Sequence, residues 1–285
     1  MSLALVLGGG GVTGIAWETG MLRGLVEAGV DLTRAELVIG TSAGSVVGTV
    51  VATDQDIAAF HRRLLEPYDP KLEPRLELDL VKFASLFTAD GPPQLPAGEI
   101  PQSVRARIGQ FALTAPVSFS EDDRMGTIAS RIRVDAWPTR ELMVTGVACD
   151  DGEFVVWTRD SGVPLLRAVT ASCAVPTVSP PITIGSRRYM DGGMRSGTNA
   201  DLARGYDRVV VLAPLGPSSG FGGALLEEVA ELRSAGARVS IAEPDGESLP
   251  AIGPNVLDPE RRAASAEAGY QQGGVAALEL RELDL

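Results

Sequence analysis

Short apolar runs alternate with segments of helical periodicity along the first part of the chain. Residues 2–7 are almost entirely apolar, a glycine-rich segment follows at 8–14, and residues 15–28 place apolar side chains three and four positions apart. An apolar run at 37–39 and a helical pattern of small and β-branched residues at 42–51 repeat this order. The pattern predicts two successive strand–turn–helix units.

The alternation continues to the end of the chain. Apolar runs at 142–149 and 153–158 flank an Asp-Asp-Gly turn signal and predict a hairpin. The other predicted elements are helices at 54–65, 164–172, 225–234 and 259–280, the last interrupted at Gly273 and Gly274, and strands at 182–184, 189–191, 208–213 and 237–241. Strands that alternate with helices favour an α/β fold, with a mostly parallel central sheet sandwiched by helices.

Residues 67–126 differ from the rest of the chain in their frequent prolines. They predict a Pro-rich helical cap or insertion within a single domain spanning 1–285. Prolines interrupt its short amphipathic pieces at Pro67, Pro70, Pro74, Pro92, Pro93, Pro96, Pro101 and Pro116. One interpretation is a helical subdomain that completes the core, and we favour it because apolar faces at helical spacing usually pack inward. The other is a lid that presents apolar side chains to a lipid, namely Leu80, Phe83, Leu86 and Phe87.

Composition narrows the classes of partner. The 285 residues carry a formal net charge of -12, which argues against nucleic acid and against strong electrostatic docking on anionic membranes. Two cysteines and one histidine provide neither a disulfide framework nor a metal site. The first residues lack the basic segment of a signal peptide, and no run of about eighteen apolar residues is present. We therefore expect a soluble, cytoplasmic protein with a neutral or amphipathic substrate.

The first glycine-rich segment has three interpretations. Gly9, Gly11 and Gly14 fit the spacing G-x-G-x-x-G of a dinucleotide-binding loop, with Asp31 placed to contact a ribose. A tight strand-to-helix turn would also need these glycines. The third interpretation is an oxyanion hole, in which the N–H groups of Gly9, Gly10 and Gly11 face an acyl oxygen.

The pentapeptide 40–44, G-T-S-A-G, follows the second predicted strand and has the spacing of a nucleophile elbow centred on Ser42. A helix-capping serine is the alternative. Since adjacent parallel strands end at the same edge of a sheet, the glycine loop and the elbow fall side by side, which favours a nucleophile. Ser218 has the same G-x-S-x-G spacing, but Pro217 removes an N–H beside it, so we interpret that segment as a loop.

A base for Ser42 has to be found outside the usual histidine. His61 lies only nineteen positions after the serine, on the next predicted helix, and we interpret it as a surface or helix-packing residue. A partly desolvated carboxylate can serve instead. Asp191 ends a short apolar strand and precedes Gly192 and Gly193, so its carboxylate can point toward another strand end. An ordinary Asp-Gly turn would also explain these residues.

Together these segments resemble the patatin-like phospholipases over roughly residues 3–215. The resemblance rests on the glycine loop, the elbow, the segment 171–176 (ASCAVP) and the Asp-Gly-Gly turn, in their order and spacing; the supporting motif glycines are Gly14, Gly40, Gly44, Gly192 and Gly193. It implies an α/β sandwich that hydrolyses lipid acyl esters without histidine, metal or cofactor. By position, Ser42 would attack the ester carbonyl, Asp191 would accept its proton and then activate water, and the amides of Gly9, Gly10 and Gly11 would hold the oxyanion.

One position departs from the family, and several alternatives stay open. Thr13 stands where the family commonly has arginine or lysine, which removes a positive charge near the predicted hole. Asn199 matches a family asparagine after the aspartate. The resemblance implies a lipid or other acyl-ester substrate and allows transient contact with a membrane surface. An acyltransferase with the same dyad, a catalytically weak lipid-binding relative and a dinucleotide-binding protein are the alternatives, and the oligomeric state is left open.

Overall fold

The computed structural model describes residues 1–71, 73–76, 80–88, 98–219 and 223–281, and it confirms the predicted alternation of strands and helices. The strands are β1 (Leu3–Leu7), β2 (Leu37–Gly40), β3 (Glu141–Ala148), β4 (Phe154–Trp157), β5 (Ile182–Ile184), β6 (Arg187–Asp191), β7 (Arg208–Leu212) and β8 (Arg238–Ala242). The α-helices are α1 (Gly11–Glu27), α2 (Ala43–Ala52), α3 (Ile57–Leu65), α4 (Leu80–Ser85), α5 (Gln102–Thr114), α6 (Glu121–Ile132), α7 (Leu165–Ser172), α8 (Leu225–Ser234), α9 (Ser248–Ile252) and α10 (Arg262–Leu280).

The central sheet is parallel across β3, β2, β1, β7 and β8, and β3 also pairs antiparallel with β4 and β6. Along β1, Leu5 and Leu7 point into a large core shared with α1 and α2, whereas Ala4 and Val6 point into a second core that includes side chains of α8. Both faces of the sheet are therefore covered, as the continuous apolar strands require. The predicted fold class is confirmed.

Strand β3 brings the ends of β2 and β6 together. Val144 pairs with Gly40 of β2, and Gly146, two positions on, pairs with Asp191 of β6. The residues of β3 from Val144 onward also pair with β4, which must occupy the opposite edge because a residue has one partner on each side. Strands β2 and β6 consequently share one edge of β3, run in opposite directions and meet end to end.

Three predicted helices differ from the structure. Helix α3 begins at Ile57 rather than at residue 54, because Asp56 acts as its N-cap. Helix α1 begins at Gly11 rather than at residue 15, because Gly10 acts as the N-cap and its carbonyl accepts the N–H of Gly14 at 2.7 Å. The predicted glycine loop is therefore shorter. Helix α10 runs without interruption through Gly273 and Gly274. There the local preference of glycine against helix is outweighed by tertiary packing.

That packing is a close crossing of α1 and α10 through small residues. A Cβ atom added to Gly20 would lie 2.2 Å from the carbonyl oxygen of Ala266, and one added to Gly273 would lie 2.4 Å from that of Met21. The neighbouring Gly274 has nothing within 4 Å of such an atom among the described residues. The two adjacent glycines of α10 thus have different roles, one in contact with α1 and one exposed to solvent.

We expect Gly273→Ala to destabilise the protein by about 1–3 kcal/mol, because the added methyl group forces the two helices apart. Gly274→Ala is the matched control on the same helix and should stabilise the protein by about 0.5–1 kcal/mol through helix propensity. Urea unfolding of the two variants measures both values. Equal effects of the two substitutions would contradict the close crossing.

The segment 67–126 contributes to the core and to a cavity described below. Phe83 and Leu86 are buried with Ile108 and Met190 in a cluster of their own. The boundary predicted at 126 falls inside α6. Pro92, Pro93 and Pro96, on which the prediction partly rested, lie outside the described residues, as does the side chain of Leu80. Across the described ranges, no helix is both long enough and apolar enough to cross a membrane.

Candidate active site

Ser42 occupies the turn between β2 and α2 with strained backbone angles, φ 53° and ψ -116°. For a residue with a Cβ atom, such angles cost on the order of 1–3 kcal/mol and are found mainly at functional sites. The flanking glycines make the turn sterically feasible, because a Cβ atom on Gly44 would lie 2.0 Å from the carbonyl oxygen of Leu7, and one on Gly40 would lie 2.5 Å from the Cα of Ser45. The predicted strand–elbow–helix geometry is present.

Three side chains hold the backbone of Ser42 in this conformation. Its N–H donates to Ser172 Oγ at 2.9 Å, and its carbonyl accepts from Ser45 Oγ at 2.6 Å and from Cys173 Sγ at 3.2 Å. Sequence reasoning missed these roles. Residues 172 and 173 lie in the segment that carried the family resemblance, but no spacing rule links them to a residue some 130 positions away.

Asp191 is the last residue of β6, and its carboxyl group is almost fully buried. One oxygen, Oδ1, accepts the N–H of Gly193 at 2.7 Å, and the backbone N–H of Asp191 donates to the carbonyl of Ala174 at 3.0 Å. The other oxygen, Oδ2, has no hydrogen-bond partner among the described residues. Burial raises the pKa of Asp191 to about 7, although the nearby hydroxyl of Ser42 and the N–H of Gly193 act to lower it. The carboxyl group therefore titrates near neutral pH.

The side chains of Ser42 and Asp191 lie together in the wall of one cavity. The hydroxyl is near enough to lower the pKa of the carboxyl, yet Oδ2 lacks an aligned donor within the described ranges. We conclude that the two groups are close but not aligned as a fully formed hydrogen bond. Hydrogen bonds between acid–base partners of active sites often reach full alignment only with substrate in place.

The glycine loop adjoins the elbow, but its three amides are not equivalent. A Cβ atom on Gly9 would lie 3.6 Å from the Cβ of Ser42, so the loop passes directly beside the serine. The N–H of Gly9 donates to the carbonyl of Gly197 at 2.8 Å. In the described part of the chain, the N–H groups of Gly10 and Gly11 have no such acceptor, as expected at the start of a helix.

Thr13 has a structural role at the start of α1. Its N–H and its Oγ1 both donate to the carbonyl of Val256, at 3.1 and 3.2 Å, and its side chain is buried. This neutral residue ties the glycine loop to the segment that contains Val256 and Leu257, both of which line the cavity.

The structure does not support the dinucleotide interpretation of the glycine loop. Asp31 lies in a short 3-10 turn before β2, and its Oδ1 accepts from the N–H and the hydroxyl of Thr33 at 3.1 and 2.5 Å. The ribose-binding acid of that interpretation should stand at the end of the second strand. In this chain the second strand ends at Gly40 and leads to Ser42 instead.

His61 and Ser218, which the sequence did not favour as catalytic residues, have other hydrogen-bond partners. His61 is buried between α1 and α10, with Nδ1 at 2.9 Å from Arg23 Nη1 and Nε2 at 3.1 Å from the carbonyl of Ala266, so it is a helix-packing residue. Desolvation lowers its pKa, which favours the neutral ring with its proton on Nε2. Ser218 lies in a 3-10 turn and donates to Glu243 Oε2 at 2.6 Å, although Gly220 lies outside the described residues.

A buried network of polar side chains supports the elbow through Thr41, the residue before Ser42. Thr41 Oγ1 lies 2.9 Å from Thr145 Oγ1, on the stretch of β3 between the ends of β2 and β6. Asn199 Nδ2 donates to Thr41 Oγ1 at 3.0 Å and to the carbonyl of Ser196 at 2.9 Å. The asparagine noted from the sequence therefore acts on the residue before Ser42 rather than on the cavity.

The cavity beside these groups has a volume of about 290 Å³ and mostly apolar walls. They include Phe83, Phe87, Ile100, Met194, Leu215 and Leu249, from both the segment 67–126 and the C-terminal part of the chain. Ser42, Asp191 and the glycine loop form its polar end. Fold and site together define an α/β protein with a strained serine and a buried carboxyl group at the end of an apolar cavity.

Residues 5–204 match the family model of the patatin-like phospholipases, and the chain belongs to this family. The resemblance inferred from the motifs is confirmed. The matched range includes the glycine loop, Ser42 and Asp191. Membership of the family supports hydrolysis of lipid esters.

Curated relatives match over a short segment. Over 62 residues the chain is 42% identical to lysophospholipase nte1 of Aspergillus oryzae, and over a segment of the same length it is 44% identical to lysophospholipase NTE1 of Phaeosphaeria nodorum. In each case the match spans 22% of this chain and 4% of the relative.

Solved structures give weaker similarity. VipD from Legionella pneumophila matches 98% of this chain and 66% of its own, with 14% identity and a TM-score of 0.48. ExoU of Pseudomonas aeruginosa, in complex with SpcU, matches 99% of this chain and 52% of its own, with 20% identity and a TM-score of 0.38. Similarity at this level carries no functional argument.

Proposed function

We propose that the protein is a serine acyl-ester hydrolase of phospholipase A, lysophospholipase or esterase type, with Ser42 as nucleophile and Asp191 as base. One observation carries the proposal. The carboxyl group of Asp191, whose pKa burial raises to about 7, has one oxygen without a hydrogen-bond partner among the described residues. It lies in the cavity wall that also holds Ser42 with its strained backbone. A base that titrates near neutrality is suited to take a proton and to return it.

The reaction would proceed through an acyl-enzyme. Ser42 Oγ attacks the ester carbonyl carbon while its proton passes to Asp191 Oδ2, and the tetrahedral intermediate then expels the alcohol, which receives that proton. The acyl group is now bound to Ser42. Asp191 next takes a proton from water, the resulting hydroxide attacks the acyl carbon, and the fatty acid leaves as the proton returns to Ser42.

The oxyanion of each tetrahedral intermediate would bind to the N–H groups of Gly10 and Gly11. Gly10 is the N-cap of α1 and Gly11 is its first residue, and at this end of a helix the dipole also favours negative charge. We leave Gly9 out of this role, because its N–H already donates to the carbonyl of Gly197. The backbone alone supplies this hole, so the neutral side chain of Thr13 is compatible with it.

The apolar cavity supports a lipid as the substrate. A volume of about 290 Å³ with aromatic and aliphatic walls accommodates part of an acyl chain, with its ester carbonyl at the polar end. The net charge of -12 favours an amphipathic substrate over a polyanion, as the composition predicts. The name lysophospholipase, carried by relatives that match over 22% of this chain, is consistent with this class.

Labelling with a long-chain alkyl fluorophosphonate tests the proposal. We expect Ser42 Oγ to displace fluoride from phosphorus, so that peptide mass spectrometry finds the adduct on Ser42 and on no other serine. A short-chain analogue should label more slowly, because it leaves the apolar cavity unfilled. Folded protein that forms no adduct, or an adduct on Ser218, would refute the assignment.

A further inference from the structure

A second, smaller cavity of about 40 Å³ adjoins the first at Ser42. The two cavities share Gly11, Ser42, Val175 and Leu257 as lining residues, so both lie against the elbow. Whereas the large cavity is apolar, the small one contains two cations, Arg124 and Arg131, both on α6.

Arg124 is a buried charge that pairs with no carboxylate in the described ranges. Arg124 is only 7% exposed, and its Nε has no hydrogen-bond partner in the part of the chain that the structure describes. No ion pair with a described carboxylate reaches it either. Arg131, in contrast, forms an ion pair with Glu73 at 3.2 Å.

The described neighbours of Arg124 do not neutralise its charge. Glu73 is already engaged by Arg131 and Arg262. Cys173 is close enough to act on the charge of Arg124, but burial raises the pKa of its thiol to about 11, so the thiol is uncharged at neutral pH. Burial also lowers the pKa of Arg124 to about 10, and the group still carries its proton. A buried cation with no ionised partner among the described residues is costly, and an anion bound beside it would offset that cost.

The small cavity limits what that anion can be. A volume of about 40 Å³ corresponds to roughly three water molecules, at 10–15 Å³ for each. It accommodates the oxygens of a phosphate group but not an acyl chain. The guanidinium fork of arginine matches phosphate oxygens in pairs.

We propose that Arg124 binds the phosphate of a phospholipid substrate whose acyl chain lies in the large cavity and whose ester carbonyl lies at Ser42. This inference rests on the proposed function, and it adds the class of head group. It assigns the cation to helix α6, in the smaller of the two cavities that Ser42 lines. Arg124 thereby becomes a specificity residue that distinguishes phospholipids from neutral glycerides.

The test compares oleoylglycerol phosphate with oleoylglycerol, which differ by one phosphate group, below their critical micelle concentrations. In Arg124→Met, the ratio of kcat/KM for the phosphate over the neutral ester should fall about ten- to a hundredfold, mainly through KM, as expected for a lost charged hydrogen bond. Arg133→Met, at the exposed end of the same helix, removes the same net charge and should leave the ratio unchanged.

Several outcomes would overturn the assignment. An unchanged ratio in Arg124→Met would do so, as would equal losses on the two substrates, which would indicate a role in folding or at the reacting carbonyl. Because methionine replaces a buried charge that no described carboxylate pairs with, the variant should fold and melt at or above the wild-type Tm. A lower Tm together with an unchanged ratio would indicate a purely structural arginine.

A binding experiment tests this inference independently of the proposed reaction. In a Ser42→Ala background, oleoylglycerol phosphate should bind more tightly than oleoylglycerol, and Arg124→Met should abolish the difference, whether or not the wild type hydrolyses either ester. Failure of turnover with this binding pattern intact would count against the hydrolase alone. Inorganic phosphate that binds as tightly as the lipid, without any preference between the two esters, would indicate a free-anion site and overturn the head-group assignment.

Discussion

A Ser42→Ala variant should lose lipid-ester hydrolysis by a factor on the order of 10⁶ while keeping the wild-type fold, because no acyl-enzyme can form without the hydroxyl. Among the described residues, Ser42 Oγ makes no aligned hydrogen bond, so its removal should cost little stability. Hydrolysis of a chromogenic acyl ester and thermal unfolding measure the two effects separately.

Two further variants sharpen this expectation. Ser42→Gly should be equally inactive but more stable than the wild type by about 1 kcal/mol, because glycine adopts φ 53° without strain. Ser218→Ala removes the other serine with G-x-S-x-G spacing and should retain full activity. Retained activity in Ser42→Ala, or its loss in Ser218→Ala, would move the nucleophile elsewhere.

An Asp191→Asn variant should lose about 10²- to 10⁴-fold in kcat, because the amide replaces the carboxylate without accepting a proton. In the wild type, kcat/KM should rise with pH and level off above about 7, where Asp191 is ionised. The residual activity of the variant should lack this dependence. Asp160→Asn, on an exposed residue, removes one negative charge and should change neither quantity.

The contribution of Asp191 to the stability of the fold should decrease with rising pH, whereas kcat/KM increases. The raised pKa means that folded Asp191 retains its proton where the unfolded chain, with an ordinary pKa of 3.8, has released it. The contribution to the free energy of unfolding is therefore fully present below pH 3.8 and is lost as the pH rises through about 7. Asp191→Asn should be more stable than the wild type above pH 7.

Normal turnover in this variant, with a pH profile like that of the wild type, would exclude Asp191 as the base.

The main elements of the fold follow from local patterns. The apolar runs of β1 and β2 and the helical periodicity of α1 and α2 predict these elements directly, and the G-T-S-A-G spacing predicts the elbow between them. The same local rules misplace the start of α1 and interrupt α10 at Gly273. The start of α1 is set by the cap at Gly10. The interruption of α10 is wrong because contacts with the backbone of α1 decide the conformation of Gly273, which local propensity would place outside a helix.

The site was predictable only where a motif marks it. Ser42 and Asp191 stand in short glycine-flanked signatures, and the structure brings both to one cavity. Ser172 and Cys173 belong to a segment that carries the family resemblance, but their contacts with Ser42 follow from tertiary folding. The position of Arg124 beside the elbow is marked by no motif. The unequal status of Gly9 also depends on a distant acceptor, Gly197, which no local pattern reveals.

Because β2 and β6 meet end to end on one edge of β3, the site is complete only when strands that are distant in the sequence have paired. Ser42 depends on the parallel pairing of β2, but Asp191 arrives only when the antiparallel pairing of β6 is in its native register. A slip of one residue would turn the carboxylate to the other face of the sheet. Distant pairings of this kind form slowly, since loop closure precedes them. Enzymatic competence would therefore appear late in folding, after the parallel core has formed.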